Sequence, residues 1–202
     1  RNMLAGVFAA MSVREIARLA DGWNLVAGRL RILEGNSEDA AFAQGELLKI
    51  ANRSRSEFEA VATLYTRVGT AAKDLGVSQA DTLKVTEAVA LSFRLAGASA
   101  TEATGASIQF AQGLASGALQ GDELRSVLEN NIPLARAIAA EFGVNVGQLR
   151  DLGAEGMLTA ERVIPAVIGK LEEFRAQSDS IPETIGGAFT VLKNEFQALV
   201  GR

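Results

Sequence analysis

Hydrophobic residues recur every three or four positions along most of the chain, which is the spacing of one face of an α-helix. In the first strong segment the steps of three and four alternate, as they do in the seam of a coiled coil. The residues of this seam are Ile16, Leu19, Trp23, Val26, Leu30 and Leu33. The pattern predicts a first long helix over about residues 4–34, which ends at Gly35 and Asn36.

A second segment repeats the rhythm and predicts a helix over about residues 39–75. Its stripe contains one polar member, Ser54, and consists of Leu47, Ala51, Ser54, Phe58, Val61, Tyr65, Val68, Ala72 and Leu75. The short connection between the two helices favours a long antiparallel hairpin. Two interpretations stay open: the helices face the core of one compact bundle, or they form a rod-like pair that projects or self-associates.

The pattern changes at Gly76, where a helix end is followed by the capping residue Ser78. In the next helix, over about 80–98, apolar residues point in all directions, which indicates burial on most sides. We therefore predict two domains. Residues 1–75 form the heptad-patterned hairpin, and residues 76–202 form a compact multi-helix domain.

The remaining chain predicts further helices only. A helix over about 101–117 is rich in glycine, which suggests that neighbouring backbones approach it closely. Ser180 to Pro182 are expected to start the last helix, and its apolar face is Ile185, Phe189, Leu192, Phe196 and Leu199. No segment alternates with a period of two, so the predicted fold class is all-α without a sheet.

Composition narrows the chemistry. The 202 residues include no histidine and no cysteine, which excludes zinc sites of the usual kind, cysteine nucleophiles and imidazole acid–base catalysis within the chain. No phosphate-binding loop is present either. Paired carboxylates occur at Asp122/Glu123 and at Glu172/Glu173. Glycoside cleavage needs two carboxyls across a cleft, for which Glu123 and Glu129 are conceivable, but carboxylates at helix starts favour a capping role. We expect no enzymatic activity, no cofactor and no metal.

A helix-turn-helix pattern spans residues 134–149, with Gly143 in the turn. Its candidate recognition helix, residues 145–152, offers Gln148 and Arg150 as contact residues. Residues 129–156 contain two basic residues, Arg136 and Arg150, and four acidic residues. The whole chain carries a net charge of −4. Because DNA affinity depends on neutralising phosphates, we predict no nucleic-acid partner.

Two uncharged runs raise a membrane-interacting alternative. Asn2–Val13 is too short to span a bilayer, and Ala103–Gly121 contains four glycines and several polar residues. The second run is better explained as a buried helix of a globular domain. Since the chain starts at Arg1 and stops at Arg202 directly after an apolar helical pattern, we expect it to be a segment of a longer polypeptide.

The stretch from Ile108 to Glu129 carries a family resemblance. A glutamine- and glycine-containing run is followed by a Gly-Asp-Glu-Leu element and a Ser-x-Leu-Glu element, and this order resembles the signature of the N-terminal domain of phage tail tape measure proteins. The signature positions are Gln109, Gln112, Gly113, Ser116, Gly117, Gly121, Asp122, Glu123, Leu124, Ser126, Leu128 and Glu129. Gln120 departs from the basic residue that is frequent in the family at that position. A looser likeness extends from about Ala20 to Val200.

The resemblance implies a non-enzymatic structural module of a phage or prophage tail, with a role in virion assembly and tail length. It implies contacts with other tail proteins, such as those of the tail tip or baseplate, the tail tube and the tail assembly chaperone, and self-association; the host envelope is a further candidate contact. The implied location is the lumen of the tail tube, preceded by the host cytoplasm during assembly. A cell-wall-active or membrane-interacting tail domain is the alternative, and a helix-turn-helix DNA-binding protein is a weaker one.

Overall fold

A computed structural model describes residues 12–202, and every regular element in that range is helical. One isolated antiparallel bridge, between Ala118 and Thr159, is the only β pairing among these residues. The all-α prediction is therefore confirmed over the described range, and the first residues of the predicted helix 4–34 lie outside it. The helices are α1 Val13–Glu34, α2 Ser37–Ser54, α3 Phe58–Asp74, α4 Gln79–Ala96, α5 Ala100–Ala115, α6 Gly121–Asn130, α7 Ile132–Glu141, a 3-10 turn Val146–Gln148, α8 Leu149–Ala154, α9 Ala160–Gly169, α10 Leu171–Asp179 and α11 Ile185–Gly201.

The described residues form two compact units. The first contains residues up to 62 together with 183–202, and the second contains Thr63–Pro182. The chain thus leaves the first unit within α3 and returns to it for α11. The domain division between residues 75 and 76 remains a prediction from sequence.

The first unit is built from α1, α2 and α11, each of which packs against the other two. Ser12 and Glu15 form a capping box at the start of α1, and Gly35 ends the helix in the left-handed conformation with a φ of 84°. Only two residues connect α1 to α2, so α2 folds back along α1. The seam of α1 from Leu19 to Leu33 is buried inside the unit. This burial agrees with the first interpretation of the seam, a core-facing surface.

The predicted continuous helix over 39–75 is wrong. The chain breaks between α2 and α3 at Arg55, which has a φ of 57° and occupies the left-handed region without being a glycine. The side chain of Asn194 in α11 accepts a hydrogen bond from the Phe58 N–H at 3.0 Å and donates one to the Ser56 carbonyl at 2.9 Å. The break is therefore stabilised by a residue more than a hundred positions away, and the second arm of the hairpin is shorter than predicted.

The second unit surrounds α4, which packs against α5, α7, α9 and α10. The prediction that this helix is buried on most sides is correct, since Val85, Val89 and Leu91 are fully buried. Glu87 is also buried, and its carboxylate binds the guanidinium of Arg175 in α10, with Nε donating to Oε1 at 2.9 Å.

The start and the buried face of the last helix differ from the prediction. Thr184, and not the Ser180 to Pro182 segment, caps α11, where its side chain accepts from the Gly187 N–H. Ile185 and Phe189 of the predicted apolar face are exposed, while Asn194 and Gln197 are buried. The polar face is buried because it supplies hydrogen bonds to the break between α2 and α3 and to Glu59.

Candidate interaction site at the corner between α5 and α6

The signature residues form one corner of the second unit. They occupy the last two turns of α5, the five-residue turn 116–120 and the whole of α6. Gly117 takes the left-handed conformation with a φ of 93°, which a residue with a side chain rarely adopts. The turn can therefore reverse the chain within a few residues.

The turn is fixed to the segment before α9 by two backbone hydrogen bonds. The Ala160 N–H donates to the Gly117 carbonyl at 2.8 Å, and the Leu119 N–H donates to the Leu158 carbonyl at 2.9 Å. Both leucines are fully buried. These two hydrogen bonds make up the antiparallel bridge between Ala118 and Thr159, and they hold the corner on its own unit.

Two glycines let the helices at the corner pack closely. A Cβ atom at Gly113 of α5 would overlap the Cδ2 of Leu119 and lie 3.3 Å from the Cβ of Glu123. A Cβ at Gly153 of α8 would lie 2.5 Å from the Cδ2 of Leu124 and 3.3 Å from the Leu119 carbonyl oxygen. The close approach expected for the glycine-rich helix is thus present at Gly113, whereas no atom lies within 4 Å of a Cβ built at Gly105.

The signature divides into an inner and an outer set. Gly113, Leu124 and Leu128 are buried and serve the core. The exposed members are Gln112, Ser116, Gly117, Gly121, Asp122 and Glu129, and Gln109, Glu123 and Ser126 are half-buried. Only the outer set is able to contact another molecule, so the binding role of the signature, which remains a prediction, must rest on it.

A groove of about 510 Å³ borders this outer set. It lies between α6 and α8, and its lining includes Leu124, Arg125 and Glu129 of α6 and Arg150 of α8. Arg125 Nε donates to Glu129 Oε1 at 2.8 Å, and this hydrogen bond raises the pKa of Arg125. Sequence reasoning did not place Arg150 at the corner, because no local pattern connects α8 to α6.

The carboxylates considered for catalysis form salt bridges or lie in the first turn of a helix. Glu129 is bound to Arg125, and Glu172 and Glu173 bind Arg175 and Lys170. Asp122 and Glu123 lie in the first turn of α6, whose preceding residue Gln120 makes no side-chain cap. In this position the two carboxylates are stabilised by the positive end of the helix dipole.

The helix-turn-helix pattern also has a packing explanation. The candidate recognition segment is a 3-10 turn followed by the six-residue α8. Gln148, one of its two candidate contact residues, forms a capping box with Asn145. Its side chain is therefore committed to its own backbone.

Among residues 12–202, no helix combines the length and the apolar character needed to cross a membrane. Within the same range no group of three or more acidic residues could hold a metal ion.

A family model described as "Tape measure protein" matches residues 14–202. No curated protein matches the chain. No solved structure matches it either.

Proposed function

Because the chain belongs to the tape measure protein family, we propose that it is a folded module through which such a protein takes part in tail assembly and in setting tail length. Its role in a phage tail is structural. The single observation that carries the proposal is the extent of the family match, which begins in α1 and runs to residue 202.

The helix lengths support a folded module and not a ruler. At 1.5 Å per residue, 202 residues in one continuous helix would span about 300 Å. The longest described helix, α1, has 22 residues and spans about 33 Å. We infer that this part of the protein anchors or nucleates the tail, and that length is measured by another segment of the parent chain.

The outer face of the α5–α6 corner is the proposed contact with other tail proteins, those of the tail tip or baseplate, the tube, or the assembly chaperone. The two backbone hydrogen bonds that fix the turn 116–120 support this proposal, because a surface that is already ordered loses little conformational entropy when it binds. The proposed location is the lumen of the tail tube, after assembly in the host cytoplasm. Self-association is part of the proposal, but the seam of α1 is buried and would not be the contact.

The test is complementation of tail assembly with the full-length protein. Gln112 and Asp122 are exposed at the corner, and changing both to arginine would alter the surface without entering the core. We expect few tails, or tails of irregular length, by electron microscopy. A matched control is Glu141→Lys, an exposed charge reversal on α7, which should leave tails unchanged. Normal tails from the double variant, in normal number, would refute the role of the corner.

A further inference from the structure

A second groove lies between α7 and α10, away from the α5–α6 corner. It has a volume of about 320 Å³. One stripe of its lining is spaced by four and three along α7, at Pro133, Ala137 and Ala140. The other stripe has the same spacing, at Lys170, Phe174 and Gln177. Two helices thus present matching rows of side chains to one channel.

The floor of this groove is apolar. Ala137 and Phe174 are buried in the core of the unit, whereas Ala140 is exposed. Small side chains on α7 allow another backbone to come close. A channel between two helices with small apolar residues at its floor is the shape that accepts the apolar side of a third helix, whose anchors follow the same spacing of four and three.

The charges at the two edges of the groove differ. Along α10, Glu173 accepts hydrogen bonds from Lys170 Nζ at 2.8 Å and from Gln177 Nε2 at 3.1 Å, so that edge is internally neutralised. Arg136 on α7 is exposed, and its side chain forms no hydrogen bond or ion pair with any described residue. The groove therefore has one uncompensated positive charge, on one edge only.

We propose that this groove binds an amphipathic helix of another protein, with apolar residues in the channel and a carboxylate opposite Arg136. The complementary charge sets the direction in which the helix lies, because only one edge attracts an acidic side chain. The binding site is independent of the corner. It gives the module a second attachment point of defined chemistry.

A synthetic helical peptide provides the probe. It is alanine-based, fluorescently labelled and capped at both ends, with three leucines spaced by four and three and one glutamate beside them. A second peptide replaces the glutamate with lysine. Fluorescence anisotropy with the full chain should show saturable binding of the glutamate peptide. Arg136→Glu should weaken it by about fivefold or more, the effect of about one exposed ion pair, and should strengthen binding of the lysine peptide.

Two further variants separate the groove from general charge effects. Ala140→Phe places a ring in the channel from an exposed position, so the fold should persist while both peptides lose affinity. Arg67→Glu changes an exposed arginine of α3 outside both grooves and should leave binding unchanged. The proposal is overturned if binding does not saturate, if Arg136→Glu and Arg67→Glu act alike, or if ultracentrifugation shows that the chain associates with itself through Arg136 and thereby excludes the peptide.

Discussion

At the scale of single residues, two glycines of the same helix have opposite surroundings. A Cβ at Gly113 would overlap the buried side chain of Leu119, whereas no atom lies within 4 Å of a Cβ at Gly105. Both glycines lie inside α5 and neither has a positive φ. Glycine therefore avoids a steric overlap at position 113, whereas at position 105 it is only an entropic cost.

We expect Gly113→Ala to lower the free energy of unfolding by about 1–3 kcal/mol, the usual effect of overpacking. Gly105→Ala should raise it by about 0.5–1 kcal/mol, because alanine favours the helix. Urea denaturation followed by circular dichroism measures both. Equal effects of the two substitutions would show that the contact with Leu119 does not restrict position 113.

The capping box at the start of α5 predicts a shifted titration. Ser99 Oγ donates to Glu102 Oε2 at 2.6 Å, and the Ser99 N–H donates to the same oxygen at 2.8 Å. These bonds lower the pKa of Glu102 below the ordinary value of a glutamate side chain. The stabilisation they give is present above the unfolded pKa and is lost as the pH falls through the lower, folded pKa.

Ser99→Ala should therefore raise the pKa of Glu102, since the hydroxyl is its largest stabilising partner. A carboxyl-detected NMR titration of the wild type and the variant measures this change. Ser78→Ala removes the corresponding side-chain cap of α4 and serves as the control. A Glu102 titration that is identical in all three proteins would contradict the assignment.

At the scale of elements, α11 stabilises the break between α2 and α3. Asn194 is almost completely buried and satisfies the Phe58 N–H and the Ser56 carbonyl. Asn194→Ala leaves both backbone groups without their partner, and each such group costs about 1–3 kcal/mol. We expect a loss of about 2 kcal/mol or more in the free energy of unfolding.

The matched control on the same helix is Leu199→Asn. Leu199 is 71% exposed, so this change should shift the free energy of unfolding by no more than about 0.5 kcal/mol. Thermal and urea melts of the two variants provide the comparison. If the Asn194 variant is as stable as the control, the hydrogen bonds across the break contribute nothing to stability.

The ion pair between α4 and α10 gives a further prediction. Breaking a buried pair costs about 3–5 kcal/mol, and the side chain of Arg175 is 33% exposed, against 7% for Glu87. We therefore expect Arg175→Met to cost about 2–3 kcal/mol, because water partly screens the site. The double variant with Glu87→Leu should recover most of that loss in urea denaturation. No recovery would mean that Glu87 is not stabilised chiefly by Arg175.

Elements also show how far sequence alone reaches. The apolar stripe of α1 and the all-round apolar pattern of α4 predicted burial correctly, because the partner of an apolar surface need not be known for that surface to be buried. The break at Arg55 was missed, since arginine is not a helix terminator and the stabilising amide comes from Asn194. The buried polar face of α11 was missed for the same reason. In the candidate site, the motif was visible in the sequence, but the approach of Arg150 to α6 depends on tertiary packing.

At the scale of the whole molecule, the second unit is inserted between two parts of the first. The first unit consists of residues up to 62 and of residues 183–202, so it is completed only when α11 has joined it. Contacts between distant parts of a chain slow folding, because the intervening loop must close first. The first unit is therefore expected to form after the second.

The aromatic residues give these two units separate optical signals. The chain has a single tryptophan and a single tyrosine. Trp23 lies in the first unit, stacked on Phe58 with ring centroids 4.8 Å apart, and Tyr65 lies buried in the second. Tryptophan emission thus reports on one unit and tyrosine absorption on the other, without any label. Superimposable melting curves would mean that the two units unfold as one cooperative unit. Separate curves would mean that each unit unfolds with its own stability.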